Sequence, residues 1–600
     1  MSYPMVANPG AKSSMGDIVG DSGSEARLAQ IAGVMGIGEG GRRFKSSKQE
    51  AVIRHLRRAL KMLAVGDAAG AVKAATAALK LDENHGQAWH VMAIALEKTG
   101  NLQNAFAAFE AAVKLLPDDW AIIDDLGSLA NRLGYLDLAE KLYQKCLAAD
   151  PGNLDVANNL ACVLRDANRY DEAIELLKAV IAAHPQSALL WNTLGTVLSD
   201  KGDMEQSVIF FEESLRLDPG FQKARYNLAN VRVALGEPEQ GLADINKAIR
   251  GSRLPMEIAT MKTAKALTQM ILGDLAGAFE TYEARFDPSL KEAVAFHAFG
   301  KRWSPDDDLQ GATLLIYGEQ GLGDEILFAN LLGDVIDAVG PDGRVLLAIS
   351  DRLLTLFSRS YPTLVVHSYR TQSRLGRTER SVEFGGEAPA IDLWTPIGSL
   401  FRRFRRAKAQ FPDTPAFLKA DPDRVAHWRD VLQSRNAAPK VGFMWKSLNM
   451  NGSRARGFSP FDLWQSVLGT KGVEFVNLQY GDCSAELAQA QAAGLDVWTP
   501  PGIDLKQDLD DVAALCSALD LMVAPMTATT NIAAACGVPT WVIAAPDAWP
   551  RFGTDGFPCY PSVRLFPTDG FGQWSGVMER IKQALSEEVA GRGVRTAAAA

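Results

Sequence analysis

The stretch TLLIYGEQGLGDEILFANLL, Thr313–Leu332, begins as an apolar run, breaks at an acidic turn punctuated by glycine, and resumes with apolar residues at helical spacing. It reads as strand, turn and helix. The same alternation continues outward. RVLLAIS reads as a strand, DRLLTLFSRS as a helix and TLVVHSY as a strand; farther on, KVGFMWKS, VEFVNLQYG, LMVAP and TWVIAAP read as strands separated by helical segments. Such alternation predicts parallel sheets covered by helices on both faces. Two doubly wound, Rossmann-like units are expected, over 301–435 and 436–590, with a cleft between them and ligands at the carboxyl ends of the strands.

Gly318, Gly321 and Gly323 form G-x-x-G-x-G, the reverse of the order that dinucleotide binding uses, which argues against a nicotinamide enzyme. The turn is expected to be a flexible loop leading into a helix whose first residue is Asp324. That carboxylate either caps the helix or stands at the mouth of the cleft to take a proton from an attacking hydroxyl. Glu319 is the alternative base.

Upstream the period is different. Pro117, Pro151, Pro185 and Pro219 fall 34 residues apart, and Gly66, Gly100, Gly134, Gly202 and Gly236 keep one phase, with Asn168 in the missing slot. This is the pattern of tetratricopeptide (TPR) helix-turn-helix repeats. About six repeats are expected over 48–251, stacked as an α superhelix, followed by a divergent helical pair and linker over 252–300. Residues 1–47 and 591–600 read as tails. Small residues at Ala93, Gly127, Ala161 and Gly195 are expected to let the two helices of a repeat approach, with aromatics filling the gap to the next repeat. A stacked array presents a concave face that holds protein. Asn158, Asn159, Asn192, Arg225, Asn227 and Asn230 are the candidate contacts, since amides clamp an extended peptide by donor and acceptor together; ordinary polar contact between helices is the competing reading.

Bulk properties narrow the classes. A net charge of −9 and an isoelectric point near 5.5 argue against nucleic-acid binding. The basic run FRRFRR, Phe401–Arg406, reads as a solvated helix face. Six scattered cysteines without a C-x-x-C pair fit a reducing compartment. With no signal pattern and no membrane-length apolar run, a cytoplasmic location is expected. Seven histidines without metal-ligand spacing leave the Asp clusters at 306–308, 421–423 and 508–511 as turn and cap residues, with no metal expected.

The motif GEQGLGDEILFA, followed by DLDDVAALCSALDLMVAPMTATTNIAAACGVPTWV, resembles GT-B glycosyltransferases related to bacterial heptosyltransferases. The whole arrangement of tail, TPRs and α/β region is similar to TPR-fused flagellin glycosyltransferases, which put nonulosonic acids (pseudaminic or legionaminic acid) on flagellin. The resemblance implies an inverting, metal-independent GT-B protein O-glycosyltransferase with no cofactor, a flagellin acceptor held by the TPRs, a CMP-linked sugar donor, and Asp324 as the base. In the segment that heptosyltransferases write V-D-T-x-x-x-H-L-A, Thr527 is kept, Met526 stands for the acid and Asn531 for the histidine. Thr527, Thr529, Thr530, Asn531 and the free amides at that helix start suit a phosphate or carboxylate. Lys446 and the loop residues Arg454 and Arg456 are candidates to neutralise the leaving phosphate. Two other readings stand beside this one: an O-GlcNAc-transferase-like enzyme using UDP-GlcNAc, and a TPR scaffold with an inactive transferase domain.

Overall fold

The computed structural model describes residues 47–290, 292–374, 377–386, 389–448, 457–570 and 572–598. The sequence expected as an N-terminal tail lies outside these residues, except Ser47, which starts the first helix. From Ser47 to Tyr282 the backbone forms seven consecutive helix pairs, from Ser47–Ala64 with Ala68–Leu81 to Pro255–Leu272 with Leu275–Tyr282. The chain divides into two compact units, one holding the repeats up to Ala224 together with Ser373–Arg377, the other holding Arg225–Gln372 and the residues from Thr378 on, with nearly all of both sheets.

In the repeat unit, the phased glycines end helices in left-handed conformation. Gly134 has φ 82°, and Asn168 fills the missing slot at φ 61°, a conformation that Asn tolerates better than most side chains. Two of the helices that follow the phased prolines are capped by a side chain two residues on: Asp119 accepts from Ile122 N–H and Asn153 from Val156 N–H. A Cβ on Gly127 would lie 2.9 Å from Tyr143 Cε1, and one on Gly195 2.8 Å from Phe211 Cε1. Tyr143 and Phe211 therefore close on the glycine of their own repeat, whereas Phe106 reaches the next repeat and meets Tyr135 with ring centroids 5.5 Å apart.

Between repeats, a polar ladder links first helices at a sequence separation of 35: His90 Nε2 with Asp125 at 2.7 Å, Asn159 with Asp124 at 3.2 Å and Thr193 with Asn158 at 2.5 Å. The interval is one period plus one residue, which brings adjacent first helices into register.

The α/β unit holds two sheets. The first contains β1 (Ala295–His297), β2 (Lys301–Arg302), β3 (Thr313–Tyr317), β4 (Arg344–Ile349), β5 (Val365–Arg374), β6 (Arg377–Val382) and β7 (Leu393–Pro396) in the order β1-β6-β5-β4-β3-β7-β2. The second contains β8 (Lys440–Phe443), β9 (Glu474–Asn477), β10 (Val497–Trp498), β11 (Leu521–Pro525), β12 (Thr540–Ala544) and β13 (Val563–Pro567) in the order β10-β9-β8-β11-β12-β13, parallel throughout. Counted from β8, that is the doubly wound order 3-2-1-4-5-6, whose direction of winding reverses between β8 and β11. In the first sheet the corresponding reversal falls between β3 and β7.

Helices do not cover both faces of the first sheet. Leu314, Ile316, Val345, Leu347 and Ile349 face the helical side. The alternate residues Leu315, Tyr317, Leu346 and Ala348 pack against Phe296 of β1, Tyr369 of β5 and Val382 of β6. A β ribbon thus replaces the expected second helical layer, tied down by Tyr317 O–H to the His297 carbonyl at 2.6 Å.

Two further expectations change. FRRFRR is no solvated face: Arg405 is 1% exposed and bonds Asn330 Oδ1 at 3.0 Å, the Asn330 carbonyl at 2.8 Å and Asp334 at 2.6 Å, while Arg402 pairs with Glu280. The run has a fixed partner for each of these arginines, which a charge count cannot reveal. The segment 591–600 is not simply a tail, because the final helix runs Ser575–Ala598; its terminal alanines are the strongest helix formers.

Gly195→Ala is expected to destabilise the repeat unit, because overpacking against Phe211 costs about 1–3 kcal/mol and exceeds the roughly 1 kcal/mol that alanine gains in a helix. Thermal unfolding followed by circular dichroism measures this, and Phe211→Leu added to Gly195→Ala should recover part of the loss, as the natural Ala161 and Leu177 pair at the same interval suggests.

Candidate functional site

The site is built where the two sheets reverse direction. After β3 the chain makes the Gly318–Gly321 turn and enters the helix Leu322–Phe328, capped by Gly321. Asp324 is therefore the third residue of that helix, not its first. Its backbone N–H reaches the Gly321 carbonyl at 3.0 Å, and its Oδ2 accepts from Gly321 N–H at 3.3 Å. This reach-back satisfies an amide that the helix start leaves open. It is the one hydrogen bond of the Asp324 carboxylate among the described residues.

The turn is fixed, not flexible. The residue in left-handed conformation is Gln320, φ 61°, rather than a glycine. Arg380 of β6 donates to the carbonyls of Gly318 at 2.7 Å and Gln320 at 3.1 Å. Gly318 has no room for a side chain, since a Cβ would lie 2.7 Å from the Glu325 carboxyl carbon. Glu325 is itself held by Tyr369 O–H at 2.5 Å and Ser350 N–H at 3.0 Å. Glu319 is unsuited to be the base. Its carboxylate accepts two N–H bonds from Arg285, at 2.7 and 2.8 Å, and one from Gly398 at 2.7 Å, so its lone pairs are committed and its charge is matched.

Asp324 differs. It is 4% exposed, and loss of water pushes its carboxyl up to about 7, with the neighbouring carboxylates Glu319 and Glu325 acting in the same direction. A carboxyl of that acidity exchanges a proton near neutral pH.

The second sheet contributes the helix Ala528–Ala535, which follows β11 and is capped by Thr527. It packs against the Leu322–Phe328 helix. Thr527 and Thr530 hydroxyls bond each other at 2.9 Å, and Thr530 also donates to the Pro525 carbonyl at 2.7 Å. Asn531 Nδ2 donates to the Thr527 carbonyl at 2.9 Å, and its Oδ1 accepts Tyr560 O–H at 2.6 Å. These four side chains, counting Thr529, are all buried. Thr529 makes no side-chain hydrogen bond among the described residues, so of the predicted quartet it alone has an uncommitted polar group; the others are engaged within the protein.

Lys446, just past β8, pairs with Glu486. The backbone before it is held by Gln479 Oε1, which accepts from Trp445 N–H at 3.2 Å and Lys446 N–H at 3.0 Å. Arg454 and Arg456 lie outside the described residues. Sequence reasoning missed Arg285, Arg380 and Asp547. Asp547 follows β12, at the same end of the sheet, and burial pushes its carboxyl up to about 6; its place just beyond a strand end was the available signal. No signal marks Arg285 or Arg380, which reach the turn only through the fold.

Of the candidate protein contacts, Asn158 Oδ1 and Asn159 Nδ2 are engaged in the ladder between repeats, and Asn230 Nδ2 bonds the Tyr226 carbonyl at 2.9 Å. Arg225 lies 3.8 Å from Asp244, and Asn192 is buried. The Asp clusters act as caps: Asp421 accepts from Asp423 and Arg424 N–H, and Asp508 from Asp511 N–H. Among the described residues, no group of three or more His, Cys, Asp or Glu side chains is arranged to hold a metal ion, and no helix is long and apolar enough to cross a membrane.

Comparison with known proteins sets this geometry in a family. The chain is 45% identical over 572 residues to Protein FlbA of Caulobacter vibrioides, which spans 95% of this chain and 94% of that protein. The chain belongs to the FlbA family. So long a match takes in both the repeats and the α/β region, so the FlbA family joins the two. Tetratricopeptide repeat models match residues 56–119, 132–196 and 188–221. Among solved structures, a tetratricopeptide repeat protein from Parabacteroides merdae is 14% identical with a TM-score of 0.36, covering 40% of this chain and 94% of that one. MamA is 22% identical with a TM-score of 0.26, covering 30% and 96%.

The acidity of Asp324 has a stability signature. Its folded value of about 7 lies above the ordinary 3.8, so its contribution to stability is complete below pH 3.8 and is lost as pH rises through 7. Asp324→Asn removes this dependence. The variant should gain on the wild type by about 1 kcal/mol between pH 6 and 8.5, read from paired thermal melts of the α/β transition.

Proposed function

We propose that this chain is a glycosyltransferase of GT-B type that modifies a protein hydroxyl, with flagellin as acceptor and a CMP-linked nonulosonic acid as donor. The observation that carries the reading is the position of Asp324. Its carboxyl is tuned near neutrality on a helix leaving the carboxyl end of β3, and that helix packs against the one leaving the carboxyl end of β11. Two winding reversals set against each other are the places where open α/β sheets bind ligands. In the reaction, Asp324 takes the proton of the acceptor hydroxyl while the oxygen of that hydroxyl bonds the anomeric carbon. The bond from that carbon to the phosphate oxygen breaks, and CMP leaves with the electron pair. Thr529 and the amides at the start of the Ala528–Ala535 helix are suited to the leaving phosphate or the sugar carboxylate. The TPR repeats and membership of the FlbA family support a protein acceptor rather than a small one.

The burial of Asp324, Thr527, Thr530 and Asn531 favours a second reading. With these groups closed into one core and three of them internally bonded, a scaffold whose transferase half docks partners without chemistry also fits.

Intact-mass analysis of flagellin separates the two. Cells carrying Asp324→Asn at wild-type protein level should make flagellin lighter by the mass of the sugar, with lost motility; unchanged mass sinks the transferase reading. In thermal shift, CMP should raise the melting temperature of the purified chain, since a ligand bound only by the folded state stabilises it. A shift with UDP instead would move the donor to UDP-GlcNAc.

A further inference from the structure

Arg285 has no task in the chemistry just described, yet it is among the most completely engaged side chains of the site. It lies three residues beyond the Leu275–Tyr282 helix, 6% exposed, with its guanidinium 3.8 Å from the Tyr282 ring centroid and 3.9 Å from that of Phe286. Every N–H is used. Nε donates to Glu319 Oε2 at 2.7 Å; Nη2 to Glu319 Oε1 at 2.8 Å and Ser399 Oγ at 3.2 Å; Nη1 to the Tyr282 carbonyl at 2.9 Å and Glu283 Oε1 at 3.1 Å. The backbone of β7's following loop closes on the same carboxylate, and a Cβ on Gly398 would lie 2.7 Å from Glu319 Oε1.

A two-pronged pair of this kind needs the planar fork of arginine. Buried ion pairs add little net stability over an apolar replacement, so stability alone does not explain it. Its setting does. Glu319 lies in the Gly318–Gly321 turn that leads into the helix of Asp324, and among the described residues its charge and that of Glu325 bear on Asp324. Among the described residues, the titratable groups whose charge is coupled to Asp324 are Glu319, Glu325 and Tyr282, with Arg285 matched to Glu319 and Arg380 beside Glu325. The residues that the Ala528–Ala535 helix brings from the other sheet are uncharged. Thus the cation next to Glu319 comes from the end of the helical array, not from either sheet.

We propose that Arg285 is a positioning residue for Asp324: its forked pair with Glu319 fixes the Gly318–Gly321 turn that carries the Asp324 helix and neutralises the carboxylate that would otherwise oppose ionisation of Asp324. The use of Asp324 as base rests on the transferase reading; the electrostatic coupling does not. Removing Arg285 leaves Glu319 unmatched and makes Asp324 harder to ionise. Removing the Glu319 charge leaves Arg285 unmatched and makes it easier.

The test compares Arg285→Gln, Glu319→Gln, the double variant and Arg285→Lys in the full chain. The Asp324 carboxyl is followed by 13C NMR of aspartate-labelled protein, assigned by its loss in Asp324→Asn, and by the pH profile of transfer to flagellin from the CMP-sugar. Titration should move up by about 1 unit in Arg285→Gln and down by about 1 unit in Glu319→Gln, as expected for a nearby charge, and return close to the wild-type value in the double variant. Arg285→Lys, which keeps charge without the fork, should hold the titration but lower the rate. If Arg285→Gln does not fold by circular dichroism, the opposite shift in Glu319→Gln and its reversal in the double variant decide the matter. Unmoved titration across folded variants overturns the proposal. Shifted titration without sugar transfer by the wild type leaves the coupling standing and removes the transferase reading.

Discussion

The helices Leu322–Phe328 and Ala528–Ala535 leave different sheets, yet they meet in one apolar core that includes Leu322, Ile326, Met444, Met526 and Ile532. This shared core constrains everything polar at the carboxyl ends of the central strands. A polar group in such surroundings is costly unless it is hydrogen-bonded or neutral. Thr530 and Asn531 meet the condition by bonding the backbone and Tyr560; Glu319 meets it through Arg285 and Gly398; Glu325 meets it through Tyr369 and Ser350. Asp324 has a single weak bond from Gly321, and it meets the condition by holding a proton more tightly.

That difference sorts the site. Groups with full sets of partners shape the turn, and the group left with an incomplete set is the one whose proton is exchangeable near neutral pH. The same rule operates in the repeats, where Asn158 Oδ1 and Asn159 Nδ2 each take a partner in the ladder between first helices. Asparagine on an inner helix therefore marks register as readily as recognition. A polar residue type indicates a demand for hydrogen bonds, and only its neighbours say who supplies them.

Several elements were legible before any coordinates. The 34-residue phase located the turns, and even Asn168 carried its meaning, because only a few residue types accept a left-handed backbone at low cost. The strand–turn–helix reading of Thr313–Leu332 placed Asp324 near a strand end. It also misjudged the turn by treating glycine as a sign of mobility. Gln320 takes the left-handed conformation, and Arg380, 60 residues away in sequence from Gln320, grips the carbonyls. The ribbon over the first sheet was missed for a similar reason. TLVVHSY reads as a strand, and a strand pattern does not say which sheet face the strand will cover.

The sequence by itself determined the repeat period, the class of the two sheets and the residues on offer at their carboxyl ends, because these follow from local periodicity and backbone preference. Tertiary structure decided the rest: that FRRFRR is partly buried, that Glu319 is occupied, that Asp324 is desolvated. Each of these depends on distant residues arriving at one place, Arg285 at Glu319 or the second sheet's helix near Asp324. Charge and acidity are set by such surroundings rather than by neighbours along the chain.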